Sequence, residues 1–245
     1  MMAANTAPLW LFDLDNTLHN ASHAFFPAIN VNMNRFIART LSVDGVEADA
    51  ATVDAVRTDY WVRYGATLLG MMKHHAVRAD DFLREAHRFD DLHSMIKAER
   101  GLISLLKRLP GRKILLTNAP QRYSREVMRH LGLHRQFGKH ISIESMHVHR
   151  QLRPKPSPHV LRKLIAREGI PAHRCILVED TLENLKSAKR LGMQTAWVTG
   201  YLSKTAKIAR LKGQLLQTNL TKRTRYVDVK VKSVRRLADN LHRLR

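Results

Sequence analysis

Apolar residues along the chain follow two rhythms. Leu9-Trp10-Leu11-Phe12, Ile114-Leu115-Leu116 and Cys175-Ile176-Leu177-Val178 are short unbroken runs that each stop at a polar residue. Strands buried on both faces read this way. Phe26, Ile29, Met33, Ile37 and Leu41 instead recur every three or four positions, which predicts an amphipathic helix over Ala24–Leu41. Further helices are expected at about Asp49–Tyr60, Thr67–His75, Ala79–Arg88, Leu92–Lys97, Gln121–Leu131, Pro158–Arg167 and Leu182–Leu191. Ser157 is placed to cap the helix that opens with Pro158. His140–Ile143 and Gln194–Val198 read as strands, Tyr226–Val231 alternates like an edge strand, and Ser233 is expected to cap a last helix to about Leu241.

Strands alternating with helices, and ending in polar residues, imply an α/β fold with a doubly wound parallel sheet, Rossmann-like, whose ligands bind beyond the strands' C-terminal ends. The helical block after the first strand breaks the alternation, and a compact inserted cap explains it more simply than a very long loop. The expected division is a catalytic core of residues 1–19 and 98–245 and a helical cap of residues 20–97.

Composition narrows the classes. Apolar residues make up 44% of the 245, so the chain is not largely disordered. No run approaches about 18 apolar residues, the least that a membrane-spanning helix needs. The approach to Leu9 has no charged segment or cleavage site of a signal peptide. Cys175 is the sole cysteine, which excludes an intramolecular disulfide, suits a reducing cytoplasm, and in its apolar run reads as packing.

Charge is uneven. The net +21 divides into −3 over residues 1–100 and +24 over residues 101–245, and Ser203–Arg225 holds seven Lys/Arg and no acid. Such asymmetry favours anionic partners: a phosphorylated small molecule, an acidic surface, or non-specific nucleic-acid binding through the basic C-terminal region. A solvated basic face is the stronger reading, because no helix-turn-helix, finger or aromatic-rich motif accompanies the charge.

Four pieces carry candidate chemistry: Asp13-Leu14-Asp15-Asn16-Thr17, Thr117-Asn118, Lys155 between Pro154 and Pro156, and Glu179-Asp180 with Asn184. Each alone is ordinary loop or helix-start sequence, and their joint occurrence at strand ends reverses that. Asp13 and Asp15, two apart, share a side of an extended backbone. Asp13 is then a nucleophile for phosphorus and Asp15 the acid that protonates the leaving alkoxide and afterwards deprotonates water. Thr117 offers a hydroxyl to a phosphoryl oxygen, Lys155 neutralises transition-state charge, and Asn118 orients neighbouring groups or substrate. Carboxylates beside a phosphate dianion call for a divalent cation, and Mg²⁺ suits hard oxygen ligands. His74-His75 and His147-x-His149 lack further ligand spacing and read as surface or packing histidines.

These four motifs resemble those of the haloacid dehalogenase superfamily over about Leu9–Val198, and the helical insert is similar to its first type of cap. The resemblance implies metal ligation by Asp13, the backbone carbonyl of Asp15, Asp180, and Glu179 directly or through water. A finer resemblance, to the pyrimidine 5′-nucleotidase branch, rests on Asp13–Asn20, on Tyr60–Gly70, on Arg153-Pro154-Lys155-Pro156-Ser157-Pro158 and on Tyr226–Val231. His19 departs from it, since that branch often has Tyr there.

Within the superfamily Asp15 selects phosphoryl chemistry, because a dehalogenase has no alkoxide to protonate. The expected function is Mg²⁺-dependent phosphomonoester hydrolysis, with UMP or CMP as the leading substrate class. Phosphoglycolate or sugar-phosphate hydrolysis, a phosphomutase, and a basic nucleic-acid-associated protein with secondary catalysis stay open. Arg63 and Tyr64, before Gly65 and between two expected cap helices, are the candidate leaving-group contacts.

Overall fold

The computed structural model describes residues 7–203, 220 and 224–244. Contacts divide the chain into two compact units, Met1–Ser22 with Ile96–Arg245, and His23–Met95. Among the described residues, no helix is long and apolar enough to cross a membrane.

The first unit is built on a six-stranded sheet. Its strands are β1 (Leu9–Phe12), β2 (Arg112–Leu116), β3 (Lys139–Ile141), β6 (Cys175–Glu179), β7 (Gln194–Val198) and β8 (Val229–Val231). They lie in the order β3-β2-β1-β6-β7-β8, and every pairing is parallel. All four residues of β1 and all five of β6 are buried, which is why both are written without alternation. β8 does alternate, with Val229 and Val231 buried on either side of Lys230, as an edge position allows. Chain order reverses around β1, which lies between β2 and β6. That topological switch opens a crevice beyond the C-terminal ends of these three strands.

The helices of this unit are α6 (Leu102–Arg108), α7 (Gln121–His130), α8 (Pro158–Glu168) and α9 (Leu182–Arg190). The sequence pattern marks three of them and leaves α6 without an element. Leu102, Leu105 and Leu106 are its buried face, but seven residues between Gly101 and Leu109-Pro110 are too few to register a helical period. A two-residue hairpin, β4 (His147–Val148) with β5 (Gln151–Leu152), is also absent from the sequence reading. His149 and Arg150 both take positive φ, 50° and 63°, in a turn whose usual signature is Asn-Gly. The strand read at His140–Ile143 is Lys139–Ile141, followed by a 3₁₀ turn from Ile143 to Ser145. Ser233 does cap, accepting from the Arg235 amide, but the turns it starts are 3₁₀ (Val234–Arg236 and Ala238–Arg243) rather than an α-helix. Most of the basic stretch 203–225 lies outside the described residues.

The second unit contains α1 (Phe25–Thr40), α2 (Ala50–Tyr64), α3 (Thr67–His74), α4 (Ala79–Ala86) and α5 (Leu92–Met95). α1 packs on α2 and α4, and α2 on α3. Phe25 meets Phe89 and Phe36 meets Phe82 edge to face, each at 5.3 Å between ring centroids. These rings pack against one another, whereas Phe26, the first apolar position of the expected helix, is exposed. The α2–α3 contact needs Gly70, where an added Cβ would fall 2.1 Å from the Tyr60 ring. α2 runs four residues beyond its expected end, so Arg63 and Tyr64 close the helix and Gly65, at φ 78°, caps it.

Candidate active site

β1 delivers Asp13, whose amide donates to the Val178 carbonyl of β6 at 3.0 Å. The chain then turns tightly, with the Leu14 carbonyl accepting from the amides of Thr17, Leu18 and His19. Asn16 sits in the left-handed region at φ 59°, which asparagine tolerates better than most residues. Its side chain also pins the loop, donating to Ser22 Oγ at 2.9 Å and accepting from the Ser22 amide at 3.0 Å. The Asp-x-Asp-Asn segment is thus a rigid carboxylate-bearing turn.

Lys155 comes from 142 residues away and is buried. Its ammonium donates to Asp13 Oδ1 and to Glu179 Oε2, each at 2.7 Å. Burial alone would lower its proton affinity, but Asp13 and Glu179 reverse this and hold the ammonium above its ordinary value. Asn118 fixes the lysine by its backbone, donating from Nδ2 to the Lys155 carbonyl at 2.8 Å and accepting from the Lys155 amide at 3.0 Å. Both polar atoms of the Asn118 side chain are therefore engaged in placing Lys155. Thr117 is anchored by its amide to the Ile141 carbonyl, and its Oγ1 accepts from the Ala119 amide at 3.1 Å. The hydroxyl proton remains available to an incoming oxygen.

β6 ends at Glu179, and Asp180 follows it directly. Glu179 Oε1 accepts from the Thr181 amide at 3.3 Å, Asp180 Oδ1 from the Thr181 hydroxyl at 3.2 Å, and the Asp180 carbonyl from Trp197 Nε1 at 2.9 Å. Carboxylate oxygens of Asp13, Glu179 and Asp180 all lie within 4.8 Å of one another. Burial and the Glu179 charge push the Asp13 carboxyl up to about 7 against the pull of Lys155, and the same causes hold Asp180 well above the ordinary range. Three buried carboxylates against one ammonium leave two negative charges if all ionise. This set of hard oxygen donors fits a divalent cation. Asn184, buried in α9, follows four residues behind Asp180.

Asp15 keeps 17% of its side chain exposed, and its Oδ1 takes two contacts. The Tyr123 hydroxyl donates to it at 2.7 Å and His19 Nε2 lies 2.8 Å away. Tyr123 and His19 are themselves buried, with the hydroxyl 3.2 Å from Nε2. Burial, followed by the Asp15 charge, raises the Tyr123 phenol well above its ordinary value and keeps it a donor. Sequence reasoning missed Tyr123, since a tyrosine on a helix 108 residues from its partner looks like any packing aromatic.

Arg63 and Tyr64 belong to the His23–Met95 unit. There Arg63 pairs with Asp59 at 2.6 Å, and the Tyr64 hydroxyl shares a 2.7 Å hydrogen bond with His74 Nε2. His75 makes the equivalent bond to Tyr60 at 2.7 Å, so both histidines of that pair are partnered by tyrosines.

The parallel sheet presents an acidic cluster and a buried lysine at its switch point, and comparison with known proteins supplies the family. The family model of haloacid dehalogenase-like hydrolases matches residues 9–192. The chain belongs to that family. It is 26% identical over 197 residues to a 5′-nucleotidase of Pseudomonas aeruginosa, covering 78% of this chain and 82% of the relative. Among solved structures it is similar to a phosphatase of this superfamily from Thermococcus onnurineus, with a TM-score of 0.61, 17% identity, and coverage of 96% and 97% of the two chains. A 2-haloacid dehalogenase from Pseudomonas syringae gives a TM-score of 0.56 at 16% identity, covering 98% and 100%. Those two likenesses show the shared fold.

Proposed function

We propose that this hydrolase is a Mg²⁺-dependent phosphomonoesterase working through an aspartyl-phosphate on Asp13, with nucleoside 5′-monophosphates, pyrimidine ones foremost, as substrates. The observation that carries the reading is the buried Lys155 ammonium, 2.7 Å from both Asp13 and Glu179. It puts the charge that would stabilise a growing phosphoryl anion beside the carboxylate that would attack. The 5′-nucleotidase relative and the residues shared with the pyrimidine branch support the substrate class.

In the first step an Asp13 oxygen bonds to phosphorus as the phosphorus–ester oxygen bond breaks, and Asp15 gives its proton to the departing oxygen. In the second, water attacks phosphorus, its proton passes to Asp15, and the Asp13–phosphorus bond breaks to release phosphate. Thr117 and Lys155 bind the phosphoryl oxygens throughout. Asp13, Glu179, Asp180 and the Asp15 carbonyl would hold Mg²⁺, which when bound offsets the carboxylate and phosphate charges.

Phosphate release from a panel of nucleotides, sugar phosphates and phosphoglycolate tests the reading, with UMP or CMP expected first. A clear preference for phosphoglycolate would move the substrate to the rival class. EDTA is expected to abolish turnover and excess Mg²⁺ to restore it. Asp180→Ala should raise the Mg²⁺ concentration needed for half-maximal rate, whereas full activity after exhaustive chelation would contradict the cation assignment.

Substrate choice is assigned to the His23–Met95 unit, with Arg63 and Tyr64 as its specificity residues. Arg63→Ala and Tyr64→Phe should reorder the substrate panel more than they slow p-nitrophenyl phosphate. An equal loss on every substrate would remove the assignment.

A further inference from the structure

We propose that a cleft between α6 and the two C-terminal 3₁₀ turns binds the phosphoryl group of a small organic phosphate, at a site apart from the one Asp13 serves. The proposal stands whether or not Asp13 is the nucleophile.

The local sequence builds the cleft. Val234-Arg235-Arg236-Leu237 buries its two apolar residues and leaves both arginines exposed. The end of α6 does the same, with Leu105 and Leu106 buried and Arg108 exposed. Packing α6 on the Val234–Arg236 turn gathers these outward groups around one cleft of about 530 Å³. Its walls are Glu99, Arg108, Ser233, Arg235, Arg236 and Asp239. All six lie in the unit that carries the sheet, and none belongs to the Asp13–Glu179–Asp180 cluster. Arg235 reaches over the start of α6, with its Nε 3.8 Å from where a Cβ on Gly101 would stand.

Hydrogen bonds fix the acidic side of the cleft and leave cationic groups over. Ser233 Oγ donates to Glu99 Oε2 and accepts from the Arg235 amide at 3.1 Å. The Glu99 amide donates to the Tyr201 hydroxyl at 3.2 Å, so Glu99 is held by backbone and side chain together. Arg236 pairs with Asp239 at 3.2 Å. Among the described residues, Arg108 and Arg235 are in no ion pair.

The ligand class follows from that surplus. A guanidinium is a planar fork of N–H donors that matches an oxyanion two bonds at a time. One fork satisfies the two oxygens of a carboxylate, whereas a phosphoryl group carries up to two charges and three oxygens and can engage a pair of forks. The cleft is also larger than orthophosphate needs and falls within the roughly 300–1,000 Å³ of small-molecule pockets. That leaves room for an organic remainder. Glu99 and Asp239 offer acceptors to it, which suits hydroxyl or amino groups.

The test is equilibrium dialysis of radiolabelled orthophosphate at fixed ionic strength, with Mg²⁺ and in EDTA. It compares the wild type with Arg108→Gln/Arg235→Gln and with Arg108→Lys/Arg235→Lys. Arg162→Gln/Arg167→Gln, which removes two exposed arginines of α8, controls for general surface charge. The wild type is expected to bind one phosphate per chain without Mg²⁺. The glutamine pair should weaken that binding at least about tenfold, because charge-assisted forks are lost. The lysine pair should weaken it less, since charge remains and the fork does not. The α8 control should bind like the wild type. The glutamine pair should also keep the wild-type kcat on p-nitrophenyl phosphate, and a collapse of kcat would show that the cleft is not separate from the active site. Glycerol 3-phosphate, added in EDTA, should displace the label at lower concentration than unlabelled orthophosphate does, and glycerol should not displace it. The reverse order would replace the organic ligand by free phosphate. Phosphate bound only with Mg²⁺ and retained by the glutamine pair would belong to the Asp13 site and overturn the proposal. An equal loss in the α8 control would overturn it too, by reducing the effect to net charge.

Discussion

Asp13→Asn is expected to remove turnover while leaving a folded protein. The amide matches the carboxylate in size, so the Val178 hydrogen bond to the Asp13 backbone and the packing of β1 are untouched. It is a very poor nucleophile, and it withdraws one charged oxygen from the Asp13–Glu179–Asp180 cluster. The loss should reach at least ~10⁴-fold, the scale on which removal of a covalent nucleophile acts. Because the variant also relieves repulsion among three buried carboxylates, its thermal midpoint should equal or exceed that of the wild type. Acid-quenched reactions with radiolabelled substrate should show no phosphoenzyme in Asp13→Asn. In Asp15→Asn a slow first attack followed by an unassisted second step should let phosphoenzyme accumulate. Substantial steady-state hydrolysis by purified Asp13→Asn would rule out the assigned nucleophile.

How much of this was legible in the sequence depended on the range over which each signal acts. Leu9–Phe12 and Cys175–Val178 announce central strands because burial on both faces forbids polar residues, and the polar residue ending each run is then a candidate for the site. Asp13, Thr117 and Glu179 each end such a run, their joint occurrence with Lys155 and Asp180 makes them candidates, and the parallel order around β1 brings these strand ends side by side. Contacts made across the fold left no such trace. Asn118 appears as part of a turn, yet its side chain clamps a backbone 37 residues on. Tyr123 carries the spacing of an ordinary buried helix residue and meets Asp15 across a separation of 108 residues. The turn at His149-Arg150 has left-handed backbone without the Gly or Asn that would mark it. In each case the tertiary context selects a conformation or a partner that local composition does not specify.

Lys155→Met should combine loss of catalysis with loss of stability, which separates it from Asp13→Asn. Methionine has about the length of the lysine stem and occupies the same buried space, so packing is largely conserved. What disappears is the ammonium that donates to Asp13 and Glu179. Removing one member of a buried ion cluster costs about 3–5 kcal/mol, because the remaining charges are left uncompensated. For a chain of this size each kcal/mol moves the thermal midpoint by roughly 2–4 °C, so a fall of several degrees is expected in EDTA. Turnover should drop at least ~10²-fold, as when one preorganised stabiliser of the transition state is deleted. Mg²⁺ should stabilise Lys155→Met more than it stabilises the wild type, since the cluster then holds three carboxylates and no cation of its own. Combining Lys155→Met with Asp13→Asn should recover part of the lost stability, because the second change removes one of the stranded charges; contacting residues couple in this way. A Lys155→Met variant with wild-type thermal midpoint in EDTA, or additive effects in the double variant, would show that the carboxylates are not organised around the lysine. The fold would then still present Asp13 at the switch point, but the charge balance assigned to the site would be wrong.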